Sequence, residues 1–425
     1  MSLFAAVELA PRDPILGLNE QFAAEKHPQK VNLGVGVYFN EHGKLPLLEC
    51  VQEAERVLTD AASPRGYLPI DGIAAYDRAV QAMVFGADSA VLNAGRVATV
   101  QAVGGTGGLK VGADFLKKLS PNATVLISDP SWENHRALFS NAGFAVATYA
   151  YYDAVNRGVR VDAMLADLQA SASGNIVVLH ACCHNPTGYD ISAEQWAQVI
   201  AVCKARGLVP FLDLAYQGFG DGIAEDGAVV QQFVASGLDF LVATSFSKSF
   251  SLYGERVGAL SVVCGRGDER PEADDIRRPP PEGVSHLGSG PELTHQATRV
   301  LSQLKVAIRT NYSNPPTHGA QVVTTVLQSA ELRAIWEGEL ATMRERIKQM
   351  RQLLLDKLVA AGVTQDFCFI VKQRGMFSYT GLSAAQMQRL RSEFGVYGVD
   401  SGRICIAALN TRNIDHVVQA IAKVL

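Results

Sequence analysis

Short apolar runs alternate with amphipathic segments in the middle of the chain, and this alternation restricts the fold more than any other feature. The runs at 175–182, 208–214 and 239–246 are rich in β-branched residues and have the length of strands buried on both faces. Between them, 192–207 carries the start and stop signals of a helix, and a second helix is predicted near 229–235. Strand, helix, strand, helix, strand predicts an α/β fold with a parallel sheet and right-handed crossovers.

Polar side chains follow each of these three predicted strands. Asn185 comes after the first strand, Asp213 and Tyr216 lie at the end of the second, and Lys248 follows the third. In open α/β sheets, ligands bind outside the carboxyl ends of the strands. The sequence therefore predicts that these four side chains converge on one site.

Composition excludes several classes of protein. With 425 residues, 48% of them hydrophobic and 19% charged, the chain can bury a large core and is not disordered. A net charge of −4 argues against nucleic acid or an anionic membrane as a partner. The longest apolar run, 176–183, is too short to cross a bilayer, and residues 1–13 make a poor signal peptide. Seven cysteines, an odd number, are typical of reduced thiols, so we expect a cytoplasmic protein.

A glycine cluster, GGTGG at 104–108, precedes an amphipathic segment that ends near Leu119, and a strand is predicted at 125–127. Backbone N–H groups at such a helix start can hold a phosphate, and a flexible turn is the alternative. Lys110 occupies the last glycine position of the dinucleotide pattern, and the nucleoside-triphosphate motif does not match. Nicotinamide and nucleotide cofactors are therefore disfavoured.

Lys248 and Asp213 are the candidate chemical groups. Desolvation beside the sheet would lower the pKa of Lys248 and make its amine a nucleophile, whereas a lysine at a strand end can also simply reach water. Asp213 follows an apolar run, where a carboxylate needs a cationic partner. A protonated pyridine nitrogen, an arginine or a helix N-terminus would each serve.

Cys182, Cys183 and His184 look like metal ligands, but adjacent residues on a strand point in opposite directions, and no second ligand pair follows. We predict no metal site. Arg403 and Arg309 stand where a guanidinium could bind a carboxylate through two parallel bonds, and a structural ion pair is the alternative for each.

The C-terminal part changes character. Helices are predicted at 320–329 and 332–361, and short strands near 367–371 and 403–407. This grouping predicts a second, smaller α+β domain. Residues 265–291 are dense in charge, proline and glycine and are predicted to form a surface-loop insertion.

At these residues the sequence resembles the class I, fold-type-I pyridoxal-phosphate aminotransferases, in particular the bacterial aspartate and aromatic-amino-acid group, and the phrasing of some motifs is closest to the aromatic (tyrosine) enzymes. The resemblance covers nearly the whole chain. Its motifs include VNLGVGVY (31–38), YLPIDG (67–72), GGTGGLKVGADF (104–115), SDPSWENH (128–135), HACCHNPTG (180–188), FLDLAYQGFG (211–220), SFSKSFSLYGERVG (245–258), NYSNPP (311–316), RGMFSYTGLS (374–383) and SGR (401–403).

This resemblance implies a fold and a cofactor. The fold would have a large domain, 47–319, with a mostly parallel seven-stranded sheet that binds pyridoxal 5′-phosphate, and a small α+β domain from 1–46 and 320–425. The substrates would be amino acids and 2-oxo acids. The assembly would be a homodimer with shared active sites.

The resemblance also assigns roles to residues. Lys248 would form the Schiff base with the cofactor and act as the general base, Asp213 would keep the pyridine nitrogen protonated, and Tyr216, the third catalytic residue, would hydrogen-bond the ring's phenolic oxygen. The remaining cofactor-binding residues would be Gly105, Thr106, Trp132, Asn185, Ser245, Ser247 and Arg256, with Tyr67 from the partner subunit. Substrate would contact Gly36, Trp132, Asn185 and Arg403, which binds the α-carboxylate, and Arg309 of the partner subunit, which binds the far carboxylate of a dicarboxylate.

Substrate preference is the least determined property. Phe39 and Leu45 stand where aspartate-specific relatives typically have lysine and threonine, and this more apolar entrance suits a ring. Val37, Thr106 and Asn314 match the aspartate type. The resemblance therefore predicts an aminotransferase for aromatic amino acids that also accepts aspartate and glutamate, with 2-oxoglutarate as amino acceptor. The alternative is an aspartate-specific enzyme.

Three other functions compete with this prediction. A decarboxylase or lyase on the same fold would not need Arg309, and an NAD-linked oxidoreductase would need the dinucleotide fingerprint that the glycine cluster lacks. A pyridoxal-phosphate-binding regulator would lack the lysine at 248 or carry a DNA-binding domain.

Overall fold

The structure is a computed structural model that describes residues 2–13, 15–265 and 292–425. The strands are β1 (Val31–Asn32), β2 (Val97–Val103), β3 (Thr124–Asp129), β4 (Ala145–Ala150), β5 (Tyr152–Asp153), β6 (Gly158–Val159), β7 (Ile176–His180), β8 (Val209–Leu214), β9 (Phe240–Ser245), β10 (Val257–Val263), β11 (Phe377–Tyr379), β12 (Val396–Tyr397) and β13 (Arg403–Cys405).

The α-helices are α1 (Leu16–Ala24), α2 (Glu49–Ala61), α3 (Ala74–Phe85), α4 (Ala90–Asn93), α5 (Gly104–Leu119), α6 (Glu133–Asn141), α7 (Val161–Ala170), α8 (Ala193–Arg206), α9 (Ile223–Ser236), α10 (His295–Asn311), α11 (His318–Gln328), α12 (Ala330–Ala360), α13 (Ala384–Phe394) and α14 (Ile414–Val424). Short 3-10 helices cover Leu3–Ala6, Cys368–Lys372 and Ile406–Ala408.

A seven-stranded sheet forms the centre of the fold, in the order β2-β10-β9-β8-β7-β3-β4. Strand β10 runs antiparallel to both of its neighbours, and the pairs from β9 through β8, β7 and β3 to β4 are parallel. The α/β class and the mostly parallel sheet are therefore confirmed. The three strands predicted in the middle of the chain are β7, β8 and β9, which lie side by side.

Local signals explain why the crossover helix α8 begins and ends where it does. Ser192 and Gln195 form the capping box, each side chain satisfying a backbone N–H of the other. Gly207 ends the helix at φ 61°, a left-handed conformation that glycine adopts without strain. The predicted helix near 229–235 is longer than expected and begins at Ile223.

Helix α5 approaches the sheet closely because two of its residues lack side chains. A Cβ at Gly112 would lie 2.5 Å from Cζ of Phe211, and one at Gly108 would lie 2.9 Å from the carbonyl oxygen of Ala259. The glycine-rich segment is thus the first half of α5 rather than a flexible turn. Its glycines bring the N-terminus of α5 to the carboxyl edge of the sheet.

The two helices predicted at 320–329 and 332–361 agree with α11 and α12 to within two residues at each end, but one strand prediction was wrong. Helix α12 is 31 residues long, and its Arg344 donates to the carbonyl oxygen of Gly218 at 3.1 Å. The segment predicted as a strand at 367–371 is instead the 3-10 helix Cys368–Lys372. A short apolar run does not distinguish a strand from a buried helical turn.

Two-stranded pairings join distant parts of the chain. Strand β1 pairs with β12 in parallel, and β11 pairs with β13 in antiparallel orientation. The division into domains at 47–319 and at 1–46 with 320–425 stays a prediction. The surface loop predicted at 265–291 lies outside the described residues except for Gly265. Among the described helices, none is long and apolar enough to cross a membrane.

Candidate active site

A cavity of about 420 Å³ opens at the carboxyl ends of the central strands. All but two of the predicted site residues line it, although they are far apart in sequence. They are Gly36, Gly105, Thr106, Trp132, Asn185, Asp213, Tyr216, Ser245, Ser247, Lys248, Arg256 and Arg403. The convergence predicted from strand order is therefore found in the structure.

Lys248 points into this cavity rather than to the outer surface. It follows β9, and its Nζ lies 5.0 Å from the centroid of the Tyr216 ring. Burial lowers the pKa of Lys248 to about 8, partly opposed by the negative charge of Asp213 and reinforced by the positive charge of Arg256. About a tenth of the amine is therefore unprotonated at pH 7 and available as a nucleophile, far more than for an ordinary lysine.

The partner of Asp213 within the chain is His135, which sequence reasoning did not single out. His135 is fully buried, and its Nε2 donates to Oδ2 of Asp213 at 3.0 Å. Burial alone would raise the pKa of Asp213, but the hydrogen bond and charge of His135, together with the charge of Lys248, bring it below the ordinary value. Asp213 is thus a buried carboxylate that stays ionised.

A chain of hydrogen bonds continues behind His135. Ser131 Oγ lies 2.9 Å from Nδ1 of His135 and 3.3 Å from Nε2 of His180. Burial lowers the pKa of His180 well below its ordinary value, so this ring is neutral. The chain fixes the orientation of the His135 ring and hence of the Asp213 carboxylate.

One end of the cavity is built to receive an anion. Helix α5 begins there without a side-chain cap at Val103; the N–H of Gly104 donates to the carbonyl oxygen of Arg256 at 2.9 Å, and the N–H groups of Gly105 and Thr106 in the same first turn have no helical partner. The Arg256 guanidinium approaches so closely that a Cβ at Gly104 would lie 2.4 Å from its Nη2. Arg256 Nη1 also donates to Ser247 Oγ at 3.4 Å. N–H groups, hydroxyl groups and a guanidinium together match a phosphate group.

Arg403 also lines the cavity, and it is buried but incompletely bonded. Its Nη1 donates to Oδ1 of Asn185 at 3.0 Å and its Nη2 to the carbonyl oxygen of Gly34 at 2.7 Å. Its Nε has no hydrogen-bond partner among the described residues. Arg403 therefore retains N–H groups that can bind a further carboxylate.

The ring of Phe377 supports this guanidinium. Cζ of Arg403 lies 4.4 Å from the ring centroid, and a Cβ at Gly36 would lie 2.6 Å from Cζ of Phe377. Arg351 of α12, itself buried, donates to the carbonyl oxygens of Gly375 at 2.7 Å and Phe377 at 2.6 Å. A buried cation on α12 thus fixes the strand that carries Phe377.

Two predicted site residues are not brought to the cavity within one chain. Tyr67 is 96% exposed. Arg309, near the end of α10, is exposed and donates to Ser313 Oγ. Their assignment to a partner's site stays a prediction.

Phe39 and Leu45, on which the predicted aromatic preference rests, lie away from the cavity lining. Phe39 is half-buried against the core, and Arg346 of α12 donates to its carbonyl oxygen at 3.0 Å. Leu45 is 46% exposed. The apolar lining comes instead from Ile15, Leu16 and their neighbours Val35, Val37 and Leu109.

The two adjacent cysteines do not point apart as expected. They follow β7 rather than lie on it, and Cys183 has φ 52°, so both sulfurs lie within 4.8 Å of each other and of the Asp226 carboxylate. Hydrogen bonding with the neighbouring thiol and burial raise the pKa of Cys182. The same hydrogen bond lowers the pKa of Cys183, but burial and the nearby carboxylates raise it to about 11. Asp226 already accepts the N–H groups of Gly218 and Gly220. Protonated thiols beside an engaged carboxylate are poor metal ligands.

A desolvated lysine and an ionised aspartate at the carboxyl edge of a parallel sheet define an α/β enzyme with amine chemistry. Comparison with known proteins identifies the class. Residues 28–421 match the family model described as aminotransferase class I and II. The chain is 59% identical to an aspartate aminotransferase of Pseudomonas aeruginosa and 49% identical to an aromatic-amino-acid aminotransferase of Escherichia coli, in both cases over the whole of each chain.

A solved structure, described as an aromatic-amino-acid aminotransferase from Burkholderia pseudomallei covalently bound to pyridoxal phosphate, is 60% identical and covers both chains completely, with a TM-score of 0.91. The chain belongs to the class I and II aminotransferases, and it is therefore an aminotransferase. The resemblance read from the sequence is confirmed.

Proposed function

We propose that this aminotransferase uses pyridoxal 5′-phosphate to move the amino group of aromatic amino acids, and also of aspartate and glutamate, to 2-oxoglutarate. The observation that carries the proposal is the cavity in which Lys248, with a pKa of about 8, and the ionised Asp213 face the same space. Relatives named as aspartate and as aromatic-amino-acid aminotransferases, and the pyridoxal-phosphate-bound neighbour, support it.

The donor set of the cavity fits this cofactor. The uncapped start of α5 with Ser245, Ser247 and Arg256 suits the phosphate, with Gly105 and Thr106 supplying backbone and hydroxyl groups. Asp213 suits a protonated ring nitrogen, Trp132 offers a ring face, and Asn185 and Tyr216 suit the phenolic oxygen. When bound, the cofactor supplies an aldehyde carbon that accepts the amino group and a ring that withdraws electrons from the substrate's Cα.

Lys248 and Asp213 have separate tasks in this mechanism. Lys248 Nζ would take the proton from the substrate's Cα and deliver a proton to the carbon that was the cofactor's aldehyde, which its pKa of about 8 allows near neutral pH. Asp213 stays ionised because His135 donates a hydrogen bond to it, and this carboxylate would keep the cofactor's ring nitrogen protonated. Tyr216, whose ring lies against Lys248, orients the amine.

Arg403 binds the substrate α-carboxylate in this proposal. Its free N–H groups support the role, together with Asn185, to which it already donates. Gly36 leaves room beside Phe377, because any side chain there would meet the ring. Holding the carboxylate at a fixed point aligns the bond to the Cα proton with Lys248.

We further propose a homodimer in which Tyr67 reaches the phosphate and Arg309 the far carboxylate in the partner's cavity. The exposure of both side chains supports this, because neither is buried within its own chain. The proposed compartment is the cytoplasm, which the seven free cysteines support, since reduced thiols persist there.

The apolar lining favours an aromatic substrate. Leu16, Val35 and Val37 offer a surface on which a ring can pack without leaving a buried polar group unpaired. The alternative, an aspartate-specific enzyme, is supported by the aspartate aminotransferase of P. aeruginosa and by the aspartate-type residues Val37, Thr106 and Asn314.

The deciding experiment is to measure kcat/KM for L-phenylalanine, L-tyrosine and L-aspartate, each with 2-oxoglutarate and added cofactor. Comparable values are expected from an enzyme of broad specificity. A preference for aspartate of about a hundredfold, more than a methylene or two in a pocket explains, would establish the alternative.

Replacing Arg309 by alanine should separate the two substrate classes. Aspartate turnover should fall by about a hundredfold, because one carboxylate loses a charged hydrogen-bonded partner, whereas phenylalanine turnover should change by less than about fivefold. The measurement is kcat/KM for both substrates. Arg299→Ala on the same helix serves as the control, and equal losses for both substrates would contradict the assigned role.

Replacing His135 by alanine should lower kcat by about ten- to a hundredfold, because this factor corresponds to the free energy of one hydrogen bond to a charged group. Without its donor, Asp213 loses the interaction that lowers its pKa. The acid limb of the pH profile of kcat should therefore move to higher pH. His135→Gln, which can still donate, is the matched variant and should recover part of the shift. An unmoved acid limb in the alanine variant would contradict this.

A further inference from the structure

Glu133 lines the cavity close to Arg403 and has no role in the mechanism above. It is the first residue of α6, directly after Trp132. Its Oε2 is buried and has no hydrogen-bond partner among the described residues. The side chain as a whole is 30% exposed, but this one oxygen is shielded from solvent, and a shielded carboxylate oxygen without a donor is unfavourable.

The cation nearest to this oxygen is the guanidinium of Arg403. Oε2 of Glu133 lies 3.9 Å from Nη1 of Arg403, close enough for attraction but too long for a hydrogen bond. Arg403 in turn keeps an Nε without an acceptor. The nearest nitrogen, Nη1, already donates to Asn185, so Glu133 lies beside this cation without a hydrogen bond to it.

We infer that Glu133 is an affinity-setting residue, a carboxylate that competes with the substrate carboxylate for Arg403. When an amino acid or 2-oxo acid binds, two anions face one guanidinium, and their repulsion weakens the binding of every substrate and product. This effect acts on the α-carboxylate, which all substrates share, so it sets overall affinity and product release rather than choice of side chain. The inference rests on the proposed role of Arg403.

The test is to replace Glu133 by glutamine, which keeps the shape and removes the charge. The probe is 3-phenylpropanoate, a carboxylate that has a ring but no amino group and so cannot react. Its dissociation constant with the holoenzyme, measured by titration calorimetry, should fall by about three- to tenfold in Glu133→Gln. KM for L-phenylalanine should fall in the same direction. Structural damage would weaken binding, so the sign of the change separates the two explanations.

Three further variants complete the experiment. Glu133→Asp keeps the charge but moves it away from Arg403. Its dissociation constant for 3-phenylpropanoate should lie between those of the unchanged enzyme and Glu133→Gln. Glu194→Gln removes an acidic residue from the first turn of another helix, α8, and should leave binding unchanged. Arg403→Ala should lose the binding of 3-phenylpropanoate.

The outcomes distinguish the two proposals. If Arg403→Ala loses binding while Glu133→Gln binds no more tightly than the unchanged enzyme, the role of Glu133 is wrong and that of Arg403 stands. If Arg403→Ala binds the probe as well as the unchanged enzyme does, the proposed carboxylate site is wrong, and the inference falls with it.

Discussion

Replacing Lys248 by alanine is expected to lower kcat for every amino acid by a factor of at least about 10⁴, since the base that moves the Cα proton is lost together with the amine that holds the cofactor. Lys248 is the lysine that lines the cavity, and its environment lowers its pKa to about 8. No other lysine among the described lining residues can replace it. The measurements are steady-state turnover and the absorption spectrum, in which the band of the lysine-bound cofactor should disappear.

The control for this variant is Lys204→Ala, at an exposed lysine on α8 whose ammonium contacts only the carbonyl oxygen of Ser236 in the described chain. It should leave turnover and spectrum unchanged. Lys248→Arg tests the chemistry further, because it keeps the positive charge but is not a nucleophile at neutral pH. If Lys248→Ala retained the absorption band and turnover, the mechanism would be wrong.

Replacing Asp213 by alanine is expected to lower kcat/KM by about a thousandfold or more, because the ring nitrogen loses the charge that keeps it protonated in a water-poor site. The substitution also leaves Nε2 of His135 without its acceptor in a fully buried position. Thermal unfolding should be recorded beside turnover, so that a loss of folded protein is not mistaken for a loss of chemistry.

A cofactor analogue with carbon in place of the ring nitrogen isolates the role of Asp213. If Asp213 acts through that nitrogen, the analogue should slow the unchanged enzyme strongly, and Asp213→Ala should add little further loss when the analogue is bound. Such non-additivity is the signature of two groups that act as one unit. Losses that add fully would refute the proposed contact, as would an unchanged rate in Asp213→Ala.

Much of the site could be predicted from the order of the strands. Asn185, Asp213 and Lys248 were expected to meet because each follows a strand of one parallel sheet, and they line one cavity. The same reasoning could have found His135 and Glu133, since both follow β3, which lies beside β7 in the sheet. They were missed because that strand was predicted only from its central residues, without its carboxyl end.

Other features could not be read from local patterns. The contact of Arg403 with Phe377 depends on the pairing of β11 with β13, and each of these strands has only three residues. The closeness of the Cys182 and Cys183 sulfurs follows from one left-handed residue just beyond β7. The contact of Arg403 with Phe377 and the closeness of the two sulfurs are both set by the local backbone conformation. The pattern of hydrophobic residues along the sequence does not predict that conformation.

Helix α12 connects two parts of the structure that border the cavity. Its Arg344 donates to the carbonyl oxygen of Gly218, close in sequence to Tyr216, and its Arg351 donates to the carbonyl oxygen of Phe377, whose ring lies beneath Arg403. The two arginines are about 10 Å apart along the helix axis, because each residue of a helix adds about 1.5 Å. A displacement of α12 would therefore move the backbone beside Tyr216 and the ring beneath Arg403 together.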